Sequence, residues 1–394
     1  MIAVIADDFT GAAEIGGIGL RHGLQVVIET GDIQHHNTDL LVIATDSRSL
    51  PAGEAAGLIT RVTEKLLELK PSFIYKKIDS VLRGNVAEEL VAQMKASSKK
   101  RAVIIAANPI FNRIINDGKY TIDNVPLNET FFSNDPEYPI QSASVLEIIG
   151  ADKKYLVSNN KPTDSLPEKG LIIGDVSNVP DLVMWTSHIS ESTLAAGASG
   201  FFDALLQKNK LSKDPEQPAG EPYGENTLYI FGSTYPKDND FINRLVESGY
   251  YISNMPHEMY YNENFDKCLM NQWSDEIADG IHNKQKVVVS VNHPPANEQN
   301  IANRIKEIIG ILVKKVMERI PLHELLIEGG STTSVVLQQL NIKKLFPIQE
   351  LDTGVIRMRI DGIPGTYLTT KPGSYYWPDK FWQPQEIQSL NDLN

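Results

Sequence analysis

The chain reads as an α/β protein of two domains, each on a mostly parallel or mixed sheet, and three observations predict it. Short apolar runs rich in Val and Ile alternate with longer stretches of helical period, which is the pattern of strand-helix-strand units. The 394 residues exceed the usual size of one domain. A polar tract at 209–226, NKLSKDPEQPAGEPYGEN, has Pro and Gly but neither period, and separates two sets of strand-like runs. The expected division is 1–208, a linker at 209–226, and 227–394.

Taken in order, the first domain opens with the strand IAVIA and a helix after Asp8. Gly17, Gly19 and Gly23 fall inside that helix with the wrong spacing for a dinucleotide fingerprint, and read as close helix packing. VVIE, LLVIAT, FIYKKI and AVIIAAN follow as strands, with RVTEKLLEL as a helix between them. In the second domain LYIFGS, KVVVSVN, LLIEGG, IRMRI and TYLTTK read as strands, and RIKEIIGILVKKVMERI as an amphipathic helix.

Composition narrows the function. Lys and Arg total 37 against 50 Asp and Glu, and the net charge of −13 disfavours nucleic acid and anionic membrane as partners. An anionic ligand must then be met by locally placed cations. The single cysteine, Cys268, excludes an intramolecular disulfide and reads as a packing residue. No run of about 18 apolar residues suggests a membrane span, so a cytoplasmic protein is expected. The P-loop pattern is absent, and HEMYY lacks the second histidine of a zinc-protease helix, so no dedicated metal centre is expected.

Polar residues gather at four strand ends instead. Asp7 and Asp8 follow IAVIA, while Thr45, Asp46, Ser47 and Arg48 follow LLVIA. Lys76, Lys77, Asp79, Ser80 and Arg83 come at and after FIY, and Asn108 follows AVIIAA. In a parallel sheet these clusters converge at the carboxyl edge, where ligands bind. Their carboxylates, hydroxyls and cations suit a small polyhydroxylated anion. Each has a plainer reading: Asp8 or Thr10 as a helix cap, Asn85 with Glu88 as a capping box, and one of the adjacent lysines turned to solvent.

The second domain carries a different signal. Gly329 and Gly330 end a strand before Ser331, Thr332 and Thr333 open a helix. Gly232, Ser233 and Thr234 follow another strand, and Lys371, Gly373 and Ser374 a third. Glycines that let backbone approach closely, together with a helix N-terminus, suit phosphate, although Ser331 also reads as a simple cap.

With these segments in view, the chain resembles the four-carbon acid sugar kinase family over nearly its whole length. IADDFTGAAE, TDSRSL, KKIDSVLRGN and DNVPLNETFFSNDPEYP match its N-terminal part in order, and IFGS, IEGGSTTS, ELDTGV and TKPGS its C-terminal part. The segments GGSTTS and KPGSYYWP depart from the family pattern, and NPIFNR lacks the glycine expected before Arg113.

The resemblance implies an ATP-dependent kinase of threonate, erythronate or an oxo-tetronate, with Mg²⁺ accompanying ATP and the active site in the cleft between the domains. It places the sugar acid on the N-terminal clusters, and the nucleotide on Ser233, Gly329, Gly330, Ser331, Thr332 and Gly373. Asp8 is expected to orient or deprotonate the attacking hydroxyl with support from Asp7, and Lys77, Arg83 and Arg48 to read the substrate carboxylate. A sugar-acid binding or regulatory protein and a kinase of another hydroxy acid such as glycerate stay open. A homo-oligomer is compatible with the sequence.

Overall fold

The computed structural model describes residues 1–31, 33–135, 137–150, 155–213, 223–231, 245–262, 266–284, 286–291, 301–373, 375 and 377–378. The chain divides into two compact units, Met1–Gly220 with Ile342–Asp361, and Glu221–Asn341 with Gly362–Asn394.

In the first unit, β1 (Ile2–Ala6), β2 (Val26–Glu29) and β3 (Leu40–Ala44) are buried along their whole length. Continuous apolar strands of this kind need cover on both faces, and helices supply it. On one face α2 (Ala52–Glu68) sets Ile59, Val62 and Leu66 against Ala3, Ile5, Val27, Leu41 and Ile43. On the other lies α1 (Phe9–Arg21), approaching so closely that a Cβ at Gly19 would stand 2.7 Å from Leu40 and Val26 side chains. The packing role read for Gly17 and Gly19 is therefore what the structure shows, whereas Gly23 lies beyond the helix in a turn with φ 68°, which corrects its placement inside α1.

The sheet continues through β4 (Ile74–Lys77) and β5 (Arg101–Ile105), with α3 (Val86–Ala96) between them in sequence. Next come β6 (Arg113–Asn116), β7 (Lys119–Ile122) and β8 (Val125–Pro126), which form a separate antiparallel sheet. The main sheet gains β9 (Val157–Asn160), β10 (Gly170–Gly174) and β11 (Thr193–Gly197). Its order, β2-β3-β1-β4-β11-β5-β10-β9, is parallel throughout. The insertion of β11 between β4 and β5 is not legible in TLAAG, which has little strand propensity.

The second unit orders its strands β13-β14-β12-β15-β18, again all parallel. These are β12 (Thr227–Phe231), β13 (Tyr251–Asn254), β14 (Lys286–Ser290), β15 (Glu324–Glu328) and β18 (Tyr367–Lys371). The helix Ile301–Met317 buries Ile305, Ile308, Ile309, Leu312, Val313 and Val316, the stripe its period predicts. Cys268 is exposed, which corrects the packing role expected for it. No helix among the described residues is long and apolar enough to cross a membrane.

Between β15 and β18 in sequence lies a hairpin, β16 (Lys344–Asp352) and β17 (Val355–Ile360), that the division at 209–226 leaves with the C-terminal half. It belongs to the first unit. β16 runs antiparallel to β2 and covers that strand's outer edge, and Arg21 of α1 reaches Glu350 at 2.9 Å. The edge of a buried parallel sheet needs such a partner for its backbone groups.

Lys76 and Lys77 show how alternation sorts side chains. Lys76 is 0% exposed and pairs with Glu89 of α3, itself 2% exposed, at 2.7 Å. Lys77 turns to the opposite face, toward α1. Neither lysine is turned to solvent. Removing one partner of a buried pair strands the other charge, so Lys76→Met is expected to cost about 3–5 kcal/mol in urea unfolding. Lys76→Met with Glu89→Leu should regain most of that loss. A double variant no more stable than the single one would contradict this.

Candidate active site

Register brings the polar strand ends together. Ala6 at the end of β1 lies opposite both Ala44 of β3 and Lys77 of β4. Gly197 of β11 lies opposite Lys77 and Ile105. The segments starting at Asp7, Thr45, Ile78 and Ala106 therefore leave one edge of the sheet at a common level.

Arg48 joins three of them. Its Nε and Nη2 donate to Asp7 Oδ2 and Oδ1 at 2.8 and 3.1 Å, and Nη2 also lies 3.0 Å from Asp8 Oδ1. Nη1 stands 3.6 Å from Asp79 Oδ1. Asp8 is the N-cap of α1, with Oδ1 accepting the Gly11 amide at 2.9 Å and Oδ2 the Thr10 hydroxyl at 2.5 Å. The capping reading of Asp8 thus holds within the cluster rather than against it. Burial raises the Asp8 pKa, but Arg48 and Lys77 with the two hydrogen bonds outweigh it and keep the carboxyl below its ordinary value.

Arg83 holds Asp79 by a second fork, through Nε at 2.9 Å and Nη2 at 2.8 Å, and reaches Asp135 with Nη1 at 2.7 Å. Gly84 adopts φ 83°, and a Cβ there would lie 2.7 Å from Arg48 Cγ, so only glycine lets this turn pass Arg48. Asn85 is the N-cap of α3 by position, but its side chain does not cap the helix. Its Nδ2 donates instead to the carbonyls of Ser47, Arg48 and Leu50, which corrects the capping-box reading. Tyr138 donates to the Arg48 carbonyl at 2.6 Å. Asp135 and Tyr138 were missed as single site residues, although both lie in the DNVPLNETFFSNDPEYP segment.

Lys77 Nζ lies 3.6 Å from Glu14 Oε2, and Ser199 donates to Glu14 Oε1 at 2.7 Å. Lys76, expected among the substrate contacts, is not brought here, because its Glu89 partner lies on the other face of the sheet. Ser47 is buried and bonded to Thr45 Oγ1 at 2.8 Å, a loop-forming contact. Asp46 is exposed with φ 50°. Arg113 donates to the Ser80 hydroxyl, and Tyr120 to the Ser80 carbonyl at 2.6 Å. Asn112, before Arg113, adopts φ 52°, a left-handed conformation that asparagine tolerates in place of the expected glycine. Asn108 is 4% exposed, and its Oδ1 has no hydrogen-bond partner.

In the second unit Gly329 is the N-cap of the helix Gly330–Gln339, with φ 95° and, among the described residues, no atom within 4 Å of a Cβ built there. Having no side chain, it cannot accept the first-turn amides as a Ser or Asp cap does. Ser331 is not the cap, which corrects the plainer reading of it. Thr333, through its amide and hydroxyl, donates to the Gly329 carbonyl at 3.1 and 2.9 Å and steadies the turn. Lys371 is buried, 3.4 Å from Glu328, and its Nζ lies 5.6 Å from the Trp377 ring centre. Burial lowers the Lys371 pKa, with Glu328 opposing. Gly373 lies in the turn after β18, Thr332 is buried, and Ser233 falls outside the described residues, as do Gly232, Thr234 and Ser374.

The aspartate network makes stability depend on acid. Burial raises the Asp79 pKa, but Arg83 and Arg48 overcome it and hold the carboxyl well below the usual carboxylate range. Its folded pKa lies below its unfolded value of about 3.9, so its contribution is complete above about pH 5 and is lost progressively as pH falls toward the folded value. Asp8 acts in the same direction. Urea midpoints should fall most steeply below about pH 4. Asp79→Asn should be less stable at pH 7 and show a shallower fall; a wild-type midpoint flat to pH 2 would sink the idea.

Residues 2–205 match the family model of a sugar-binding N-terminal domain, and 228–375 that of a nucleotide-binding C-terminal domain. The D-threonate kinase of Salmonella typhimurium is 34% identical over 221 residues, 51% of this chain and 52% of that kinase, so the match spans about half of that relative's length. The 3-oxo-tetronate kinase of Brucella melitensis is 24% identical over 98% of this chain and 95% of its own. A crystal structure of a tRNA synthase candidate from Salmonella typhimurium LT2 superposes with a TM-score of 0.77, covering 97% of each chain at 19% identity, which speaks to the fold alone. With both domain models matched in order, the chain belongs to the four-carbon acid sugar kinase family.

Proposed function

We propose that the protein is an ATP-dependent kinase that phosphorylates the terminal hydroxyl of a four-carbon acid sugar such as D-threonate, D-erythronate or an oxo-tetronate. The observation that carries this reading is the Asp7–Asp8–Arg48–Asp79–Arg83 network at the carboxyl edge of the parallel sheet. It presents ionised oxygens to sugar hydroxyls beside a buried cation, Lys77. The similarity to a D-threonate kinase and a 3-oxo-tetronate kinase supports the same substrate class.

Asp8 is the residue we assign to the attacking hydroxyl. Held ionised by Arg48 and Lys77, it is an acceptor that orients the hydroxyl and takes its proton as that oxygen becomes acidic during transfer. Asp7 keeps Arg48 in place and so acts as a positioning residue. Lys77 offsets negative charge beside Asp8.

The residues of the second unit fit a nucleotide. Gly329 has no described atom within 4 Å of its Cβ position and precedes a helix whose N-cap supplies no side-chain hydrogen bond, a donor set suited to phosphate. Gly330, Ser331, Thr332 and Gly373 are the further residues we assign to holding it. Bound MgATP supplies the phosphoryl group, with Mg²⁺ offsetting the phosphate charge.

A coupled ADP-release assay over C3 to C6 sugar acids tests the reading, with turnover expected on four-carbon acids. No release, with threonate binding retained, would assign the protein to sugar-acid binding instead. Folded Asp8→Asn should lose roughly 10²-fold to 10⁴-fold in turnover. Normal turnover would leave Asp8 as a cap only. Gly330→Val sets a branched side chain beside the first-turn amides and should weaken ATP about tenfold or more in calorimetry, with threonate binding unchanged. Undiminished ATP binding by the folded variant would remove that segment from the nucleotide site.

A further inference from the structure

Strands β12, β15 and β18 of the second unit run parallel and end side by side, and each leads into a segment read above as facing the nucleotide: Ser233 after β12, Gly329 and Gly330 after β15, Gly373 after β18. In register Phe231 lies opposite Glu328, and Glu328 opposite Lys371. Glu328 is thus the last residue of the middle strand, immediately before the glycines. It is 3% exposed, a costly place for a carboxylate unless its oxygens have partners.

One of those oxygens, Oε2, meets both ends of the turn that follows β18. Lys371 Nζ, where the turn begins, lies 3.4 Å from it, and the indole Nε1 of Trp377, beyond the turn, donates to it at 3.3 Å. The Lys371 ammonium also donates to the Pro372 carbonyl at 3.0 Å, the same oxygen that accepts the Tyr375 amide at 3.1 Å. Trp377 is buried, with its ring centre 5.6 Å from Lys371 Nζ and 6.3 Å, edge-on, from that of Tyr229 in β12. The turn is tied to the glycines as well, because the Gly329 amide donates to the Lys371 carbonyl at 3.0 Å and the Thr333 and Thr370 hydroxyls are bonded at 3.0 Å.

We infer that Glu328 and Trp377 are positioning residues for the nucleotide: their bond clamps both ends of the Gly373 turn and, through Gly329, the start of the helix Gly330–Gln339 in the shape that receives ATP. The inference rests on the nucleotide reading above and deepens it by naming residues that act through the turn rather than on the ligand. A segment already ordered loses less freedom when it binds, so the clamp acts on affinity. A carboxylate suits this place because a single oxygen can take an ammonium and an indole N–H together, and hydrogen bonds to a charged group are stronger than those between neutral groups.

The test uses the whole chain and calorimetry with ATP and, separately, threonate. Trp377→Phe keeps a ring over Lys371 and Tyr229 but removes the N–H, and should raise the ATP Kd about three- to tenfold with threonate binding unchanged. Glu328→Gln keeps an oxygen for the indole but leaves Lys371 without its counter-charge, and should raise the ATP Kd at least as much. Amide exchange at Gly329 and Tyr375 should quicken in Trp377→Phe without ligand and slow again when ATP is added. Unchanged ATP affinity in folded Trp377→Phe, equal weakening of ATP and threonate, or unaltered exchange at those two amides would overturn the clamp. None of these readouts involves phosphoryl transfer, so a wild type that binds ATP tests the clamp whatever its turnover. A wild type that binds no ATP overturns the nucleotide reading and the clamp with it.

Discussion

Arg48 is the group that allows Asp7, Asp8 and Asp79 to be buried at one edge of a sheet. Three carboxylates taken out of water so close together would repel one another and draw protons. A guanidinium with five donors in a fixed fork satisfies several oxygens at once, which a lysine in the same place could not do. The contacts of Arg48 with all three aspartates tie the ends of β1, β3 and β4 into one charged layer. Gly84 lies against the Arg48 side chain while Asn85 and Tyr138 donate to its carbonyl, so two further loops answer to one residue.

That constraint explains why capping and ligand chemistry coincide at Asp8. A carboxylate at a helix N-terminus is stabilised by the first-turn amides, and the same position faces whatever lies beyond the strand ends. Against its burial, Arg48, Lys77, the Thr10 hydroxyl and the Gly11 amide keep it ionised at neutral pH. The second unit uses the opposite device at the helix Gly330–Gln339. Its N-cap is a glycine that brings no side chain to the first-turn amides, and its first turn carries no acidic residue. One helix start is completed within the protein, and the other suits an outside anion.

Much of this was legible beforehand because it depends on local pattern. Continuous apolar runs such as IAVIA and LLVIA specify buried strands, and strands that alternate with amphipathic helices specify a parallel sheet. In a parallel sheet the polar residue after each strand must come out at the carboxyl edge, so Asp7, Asp8, Arg48, Lys77, Asp79 and Arg83 could be grouped from order alone. The family resemblance added the DNVPLNETFFSNDPEYP segment as a whole, but not the separate tasks of Asp135 and Tyr138, which depend on contacts across the chain.

The sequence by itself determined the α/β class, the strands around the site and the residues that gather there, because periodicity and strand-end chemistry are local properties. Tertiary structure alone decided which lysine faces the site, since Lys76 and Lys77 differ only in which side of β4 meets α3 or α1. It also decided that β11 enters between β4 and β5, and that the 342–361 hairpin covers β2, because strand neighbours are chosen by packing rather than by propensity. The last thing it decided was which cations are already committed. Arg48 and Arg83 read in the sequence as cations for a substrate carboxylate, and only the fold shows the carboxylates of the protein already set against them.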